Sequence, residues 1–146
     1  MMLATGLAQN RQDQLFFKDR LQPITEENMF KTEGYYNWCS SIIKGDDGKY
    51  HLFYQYDPIV DGIRGARTWG HAVSKDLVHW EDWPVAIWPD SEYDKAGVFS
   101  GNTFIHKGRI TALYTGCVRG HAETYGMLAW AEADGVTFQK KMVRGN

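Results

Sequence analysis

The chain has 146 residues, which is enough for one domain of ordinary size. Its formal net charge is −2 with Lys and Arg dispersed, so it offers neither a basic stripe for nucleic acid nor a polybasic membrane anchor. No apolar run approaches the ~20 residues that a membrane-spanning helix needs. We therefore expect no nucleic acid and no membrane as partners, whereas aromatic residues at 14% favour stacked sheets or a sugar-binding surface.

Residues 1–33 form a polar, irregular lead-in. Met1–Gln9 carries small residues near its end, as the tail of a secretory signal does, but it lacks a charged start and a full apolar core. A signal remnant and an ordinary terminus both stay open as interpretations. Farther on, Thr25–Asn28 predicts a short helical turn or a loop.

The next segment alternates short apolar and polar runs, which predicts β-strands. An Asp-Gly pair within Gly45–Gly48 predicts a hairpin. Proline and glycine predict a loop over 56–67, and the prolines of 81–90 predict a crossing segment rather than a central strand. The predicted strands are Ser40–Lys44, Lys49–Gln55, Thr68–Ser74 and Leu77–Trp80.

The pattern occurs twice along the chain. Gly48–Tyr54 recurs in outline as Gly108–Tyr114 at an offset of 60 residues, and Ala72–Trp80 recurs as Ala131–Gln139 at an offset of 59. Two separate blocks thus agree on one period, and no helix of useful length is predicted. The second set of strands is Val98–Ile105, Arg109–Thr115, Met127–Ala133 and Val136–Lys140.

A repeat of roughly 60 residues built from short strands and tight turns is typical of a β-propeller blade, and propellers have ~4–8 blades. We therefore predict an all-β chain with about two blades of an incomplete ring, blade one over about 34–90 and blade two over about 91–146. Trp69 and Trp80 are expected where the blade sheets meet. An unclosed ring exposes an apolar face and a sheet edge, so self-association through these edges is expected.

The innermost strand of each blade lines the propeller axis, so the starts of these strands converge on one funnel. Here they are Tyr35–Ser40 and Asp94–Gly101, which makes them the first candidates for a site. Asp94 itself is expected to be a turn residue.

Cysteine and histidine spacing gives no sign of a metal site. Cys39 and Cys117 show no metal-binding motif, and two buried free thiols are a simpler interpretation than a disulfide. His51, His71 and His79 also lack paired metal spacing, so neither a metal nor another cofactor is expected.

Several motifs occur in order along the chain. Trp69–Pro84 begins Trp-Gly-His-Ala, Gly97–Gly101 reads Gly-Val-Phe-Ser-Gly, Leu113–Gly116 reads Leu-Tyr-Thr-Gly, and Tyr50–Pro58 precedes them. Together they resemble glycoside hydrolase family 32, the invertases, inulinases, levanases and related β-fructosidases. The resemblance is close over about 49–116. It implies a five-bladed catalytic propeller, retaining hydrolysis of β-fructosides and, commonly, a secreted or periplasmic location.

The resemblance also implies roles for single residues. Gln55 matches a residue that hydrogen-bonds the fructosyl unit, and Phe99 and Ser100 match a pair that lines the same pocket. Trp69 is either part of this pocket or packing between blades. Arg64 stands where family members often carry a substrate-stacking Trp.

The nucleophile of the family motif has no carboxylate counterpart here. Retaining glycosidases need two carboxyl groups ~5 Å apart. Depending on the placement of the hairpin gap, the nucleophile position falls on Asn37, Trp38 or Cys39. Asn37 is expected to face Gln55 and Ser100 and to join the sugar site, while the remaining family carboxylates would lie in later blades.

Two functions stay open. The first is part of a fructoside hydrolase whose carboxylates lie outside this segment, and the second is a carbohydrate-binding propeller that has lost catalysis. In both, the expected partner is a fructoside or a related sugar. The chain alone is expected to hydrolyse nothing, because neither nucleophile nor acid/base can be assigned.

Overall fold

The computed structural model describes residues 23–26, 29–60, 63–64, 67–119 and 122–145. These residues form two antiparallel sheets, one after the other along the chain. This confirms the predicted all-β class and the two blades of an incomplete ring, whereas the exact blade boundaries stay predictions. Within these ranges no helix is long and apolar enough to cross a membrane.

The first sheet, blade one, contains five strands: β1 Tyr35–Lys44, β2 Tyr50–Val60, β3 Ile63–Arg64, β4 Thr68–Ser74 and β5 Trp80–Ile87. Its order is β1-β2-β4-β5, and the short β3 pairs with the end of β2. All of these pairings are antiparallel.

The second sheet, blade two, contains β6 Gly97–His106, β7 Arg109–Cys117, β8 Thr124–Ala131 and β9 Phe138–Arg144, in that order. Its first hairpin turns at Lys107 and Gly108, with φ of +51° and +72°. Gly48, with φ of +80°, lies in the corresponding hairpin of blade one. Tight hairpin turns need such positive φ values, which glycine adopts without steric cost.

Two expectations for blade one are wrong. Residues 56–67 are not one loop, because β2 continues to Val60 and turns back as β3. Residues 81–90 are not simply a crossing, since most of them belong to the outer strand β5. Pro84 is tolerated there because β5 is an edge strand whose register shifts between Trp83 and Ile87.

The main core lies between the two blades. Buried side chains from both sheets pack against each other there: Phe53, Trp69, Ala86, Ile87, Val98, Ile110, Ala112, Tyr114, Met127, Ala129 and Ala131. The inner strands β1 and β6 lie side by side. Their contact is made by the Ser41 hydroxyl, which is 2.8 Å from Asn102 Oδ1 and 2.7 Å from Thr103 Oγ1. The middle parts of the two inner strands are therefore close together, as the packing of neighbouring propeller blades requires.

A second, smaller core covers the opposite face of blade one. Leu52, Tyr54 and Ala72 are buried there, and the lead-in residue Phe30 packs edge-on against Tyr54 with ring centroids 5.0 Å apart. Trp80 belongs to this cluster too. The expectation that Trp80 lies between the two sheets is therefore wrong: it pairs with Ser74, whose side chain shares a strand face with that of Ala72.

Candidate functional site

The two inner strands carry matching irregularities at their starts. The register of β1 shifts between Trp38 and Ser41, and that of β6 shifts between Val98 and Gly101. The bulged pairs are Cys39–Ser40 and Phe99–Ser100, which lie 60 residues apart. A bulge re-aims side chains and is over-represented next to functional sites. The internal repeat therefore extends to the bulges that shape the funnel.

Gly101 fixes the end of the second bulge. A Cβ at this position would lie 2.2 Å from the carbonyl oxygen of Leu113 and 2.6 Å from Tyr114 Cα. Both contacts are with backbone, which cannot move aside cheaply. Only glycine lets β6 approach β7 this closely. In the bulge before Gly101, Ser100 is exposed and Phe99 is half-buried.

Gln55 joins the two inner strands. It lies on the central strand β2, is only 2% exposed, and faces Trp38 across the β1–β2 pair. Its Oε1 accepts a hydrogen bond from Trp38 Nε1, and its Nε2 donates to the Val98 carbonyl at 3.4 Å. The amide thus spans from blade one to blade two directly behind the Phe99–Ser100 bulge.

Arg67 forms the wall between the two blades. Its guanidinium carbon lies 4.2 Å from the ring centroid of Phe99 and 5.4 Å from that of Trp38. Its Nε is 3.4 Å from Oδ2 of Asp57, a fully buried carboxylate on the same face of β2 as Gln55. The pair places one positive and one negative charge beside the bulge, and contact with two rings holds the guanidinium in place.

Trp69 supports this wall from beneath. Its ring is 1% exposed in the core between the blades, and its Nε1 donates to the Phe99 carbonyl at 3.0 Å. The indole therefore positions the bulge by packing and one hydrogen bond. A direct contact with a ligand would require Trp69 to leave the core.

Asn37 does not face Gln55 and Ser100, contrary to expectation. Neighbouring residues of a strand point to opposite faces, so Trp38 takes the Gln55 side and Asn37 takes the other. There the Asn37 side chain contacts Thr32, with 3.1 Å between the amide and Thr32 Oγ1. The β1 position on the Gln55 side is occupied by the indole of Trp38.

Two other candidates are only partly described. The backbones of Cys39 and Arg64 lie in β1 and β3, whereas their side chains fall outside the described part of the structure. Cys117 is a buried free thiol, and burial raises its pKa. This agrees with the free-thiol interpretation for Cys117.

Asp94 is a structural hub. It is fully buried, and its Oδ1 accepts hydrogen bonds from the Ser91 backbone at 2.9 Å and the Ser91 hydroxyl at 2.8 Å. Its Oδ2 accepts from the Tyr114 hydroxyl and from Lys140 Nζ, each at 2.8 Å. These bonds connect the turn before β6 to strands β7 and β9. They match the predicted turn role and leave the carboxylate engaged with protein groups.

Two of the blade-one histidines, His51 and His71, form a separate buried chain. His51 Nε2 lies 3.2 Å from Asp47 Oδ1, and His51 Nδ1 lies 2.9 Å from His71 Nε2. Burial first, and the nearby His51 second, lower the pKa of His71 to about 3. In the described part of the chain no three His, Cys, Asp or Glu side chains are grouped to hold a metal ion.

Two residues of this cluster, Asp57 and Arg67, were missed by sequence reasoning. The period of two along β2 could have placed Asp57 on the Gln55 face. Arg67 carried no such signal, because its position depends on how the chain returns after β3. Aromatic rings, a buried amide, an ion pair and an exposed hydroxyl thus meet at the start of the inner strands.

This arrangement defines part of a β-propeller with a polar and aromatic cluster at its axis, the kind of surface that suits a sugar. The sequence profile of the glycosyl hydrolases family 32 N-terminal domain matches residues 32–145. The chain belongs to this family.

Sequence and structure relatives agree with the family. The sucrose-6-phosphate hydrolase of Klebsiella pneumoniae is 43% identical over 96 residues, covering 64% of this chain and 20% of that protein. Beta-fructofuranosidase 1 of Zea mays is 54% identical over 70 residues, 47% of this chain and 10% of that protein. Fructan 1-exohydrolase IIa from Cichorium intybus superposes with a TM-score of 0.66 at 27% identity, covering 82% of this chain and 24% of that one. The chain spans between about a tenth and a fifth of the length of the curated relatives it matches.

Proposed function

We propose that this chain supplies the fructoside-binding part of a family 32 β-fructosidase that hydrolyses O-glycosidic bonds. One observation carries the proposal: Gln55, Phe99 and Ser100 are held at the same place, where the two inner strands begin. A sugar presents a hydroxyl to the exposed Ser100 and an apolar face to the Phe99 ring, while the buried Gln55 amide holds the Val98 carbonyl behind them. Solved relatives were crystallised with 1-kestose and with fructosylnystose, which supports a carbohydrate ligand.

Hydrolysis would need carboxylates from outside the described site. A retaining glycosidase uses two carboxyl groups ~5 Å apart. Among the residues that the structure describes, the site holds one, Asp57, which is fully buried and faces Arg67 rather than the funnel. We therefore expect residues 1–146 alone to release no fructose from sucrose, inulin or levan. The secreted or periplasmic setting is likewise a proposal that rests on the family.

Catalytically silent sugar binding is the second candidate function. It is favoured by Trp38, whose indole occupies the Gln55 side of β1 where a nucleophile would have to reach the sugar. An indole cannot attack an anomeric carbon, whereas it can wall a binding pocket.

Fructose binding to the purified chain tests the shared part of both functions. Intrinsic tryptophan fluorescence should change on titration with fructose. Ser100→Ala should weaken binding about 5- to 160-fold, because a sugar hydroxyl that loses its partner in a partly dry pocket costs ~1–3 kcal/mol. Val78→Ala, on an exposed turn away from the inner strands, serves as the control. Equal affinities for the wild type and Ser100→Ala would contradict the proposed site.

A further inference from the structure

Lys140 is a cation on the core-facing side of the outermost strand of blade two. It lies on β9 between Phe138 and Met142, which share its sheet face and pack against the core between the blades. Its side chain is only 13% exposed, whereas the neighbouring Lys141, on the opposite face, is exposed. Burying an ammonium group is unfavourable unless hydrogen-bond acceptors surround it. A lysine at this position therefore depends on its partners.

In the described part of the chain, the polar partners of Lys140 all belong to the connection between the two blades, residues 88–96. Its Nζ donates to the Trp88 carbonyl at 2.7 Å and to Asp94 Oδ2 at 2.8 Å, and it also contacts Asp90 Oδ1. These three acceptors match the three N–H donors of an ammonium group. One side chain thus ties the outer strand of blade two to three points along the connection, which leads from β5 into β6.

The same connection determines where β6 begins. The Asp94 carbonyl accepts a hydrogen bond from the Gly97 backbone N–H, with 2.7 Å between oxygen and nitrogen. Gly97 has φ of +144°, and a Cβ there would lie 3.0 Å from Phe99 Cε2, so the Phe99 ring packs against the bare backbone of Gly97. The Lys140 ammonium is therefore linked through Asp94 and Gly97 to Phe99, the neighbour of Ser100.

We infer that Lys140 is a positioning residue of the candidate sugar site: its ammonium group fixes the connection and, through it, the places of Phe99 and Ser100. The inference rests on the proposed function, since it concerns the same site. A binding site needs its side chains held within ~0.5 Å by supporting hydrogen bonds and packing. Lys140 acts through Asp94 and is not expected to touch the sugar.

The experiment measures fructose binding to residues 1–146 by isothermal titration calorimetry, under conditions where circular dichroism shows each variant to be folded. Lys140→Met keeps the length of the side chain and removes its charge, and it should weaken fructose binding about tenfold. Lys140→Arg keeps the charge and should retain more affinity than Lys140→Met. Lys141→Met, on the exposed face of the same strand, is the matched control and should bind fructose like the wild type.

Hydrogen exchange distinguishes positioning from a general loss of stability. In Lys140→Met, the exchange rate of the Gly97 amide should rise by a larger factor than that of the Ala112 amide on the central strand β7. A general loss of stability would raise both rates by the same factor. If Lys140→Met does not fold, the double variant with Asp94→Asn replaces it, because that variant leaves no unpaired buried carboxylate. It should show the same two changes.

The contrary outcomes separate two failures. If the wild type binds fructose and the charge-free variant binds it equally well, or if the two exchange rates rise by the same factor, the positioning role is overturned and the proposed function stands. If the correctly folded wild type binds no fructose, the proposed function falls and the inference falls with it. Failure of both the single and the double variant to fold would assign Lys140 to stability alone and would also overturn the inference.

Discussion

The buried histidine chain of blade one shows how single residues set the stability of the core. A His51 proton on Nε2 faces the Asp47 carboxylate, so its Nδ1 accepts from His71 Nε2. His71 Nδ1 is then an acceptor, and it has no hydrogen-bond partner in the described part of the structure. His71 also stacks on Phe53 at 4.4 Å, so the neutral ring acts as part of the apolar core.

This arrangement predicts acid sensitivity. The pKa of His71 is about 3 when folded, below its ordinary value of 6.5, so the unfolded chain binds more protons between these values. Above about pH 6.5, protonation of His71 therefore does not reduce the free energy of unfolding. As the pH falls from about 6.5 to about 3, the free energy of unfolding decreases by at most ~1.4 kcal/mol per pH unit. Urea unfolding at about pH 7 and about pH 5 should show this loss. The decrease in the free energy of unfolding between the two pH values should be smaller for His71→Phe. An unchanged decrease would show that other titrating groups cause the acid sensitivity.

At the level of the strand connections, the β4–β5 turn and the β8–β9 turn have the same design. Asp76 Oδ1 accepts from the backbone of Val78 and His79, and Asp134 Oδ1 accepts from the backbone of Val136 and Thr137. The residue after each aspartate has positive φ. It is Gly135 in blade two, at +69°, and Leu77 in blade one, at +67°.

Leu77→Gly should therefore stabilise blade one. A non-glycine residue pays ~1–2 kcal/mol for a left-handed conformation, whereas glycine adds ~0.5–1 kcal/mol of unfolded-state entropy. The Leu77 side chain is exposed, so little packing is lost. We expect a gain of about 0.5–1 kcal/mol in the free energy of unfolding, measured by urea titration. Val78→Gly, which relieves no positive φ, should destabilise, and a loss of the same size for both variants would contradict the strain argument.

The strands and the two blades can be predicted from the local sequence pattern, whereas the geometry of the site cannot. Gly48 and Gly108 mark hairpins 60 residues apart, and alternation between them predicts the paired strands. The face that a side chain takes depends on register, which the bulge after Trp38 resets. For that reason the expected orientation of Asn37 is wrong, and the approach of Arg67 to Phe99 arises only from the packing of two sheets.

At the scale of the whole molecule, the two outward blade faces differ. The outer face of blade one is covered in part by Phe30, which leaves Leu52 and Tyr54 buried. Leu113, on the outer face of blade two, follows Phe53 by 60 residues, and Phe53 is buried between the blades. Leu113 is 49% exposed. Because Leu113 corresponds in the repeat to Phe53, which packs against the next blade, Leu113 lies where a further blade sheet would pack.

We therefore predict that residues 1–146 self-associate through the outer face of blade two. Burying a large apolar side chain contributes ~1.5–3 kcal/mol, and Phe104 is exposed on the same face. Light scattering after size exclusion should show a mass that rises with concentration. Leu113→Lys should weaken this association at least about tenfold, because a charge would be desolvated in the contact. Val78→Lys, at an exposed turn, should not change it. A monomer at every concentration, or equal association of both lysine variants, would show that this face does not mediate self-association.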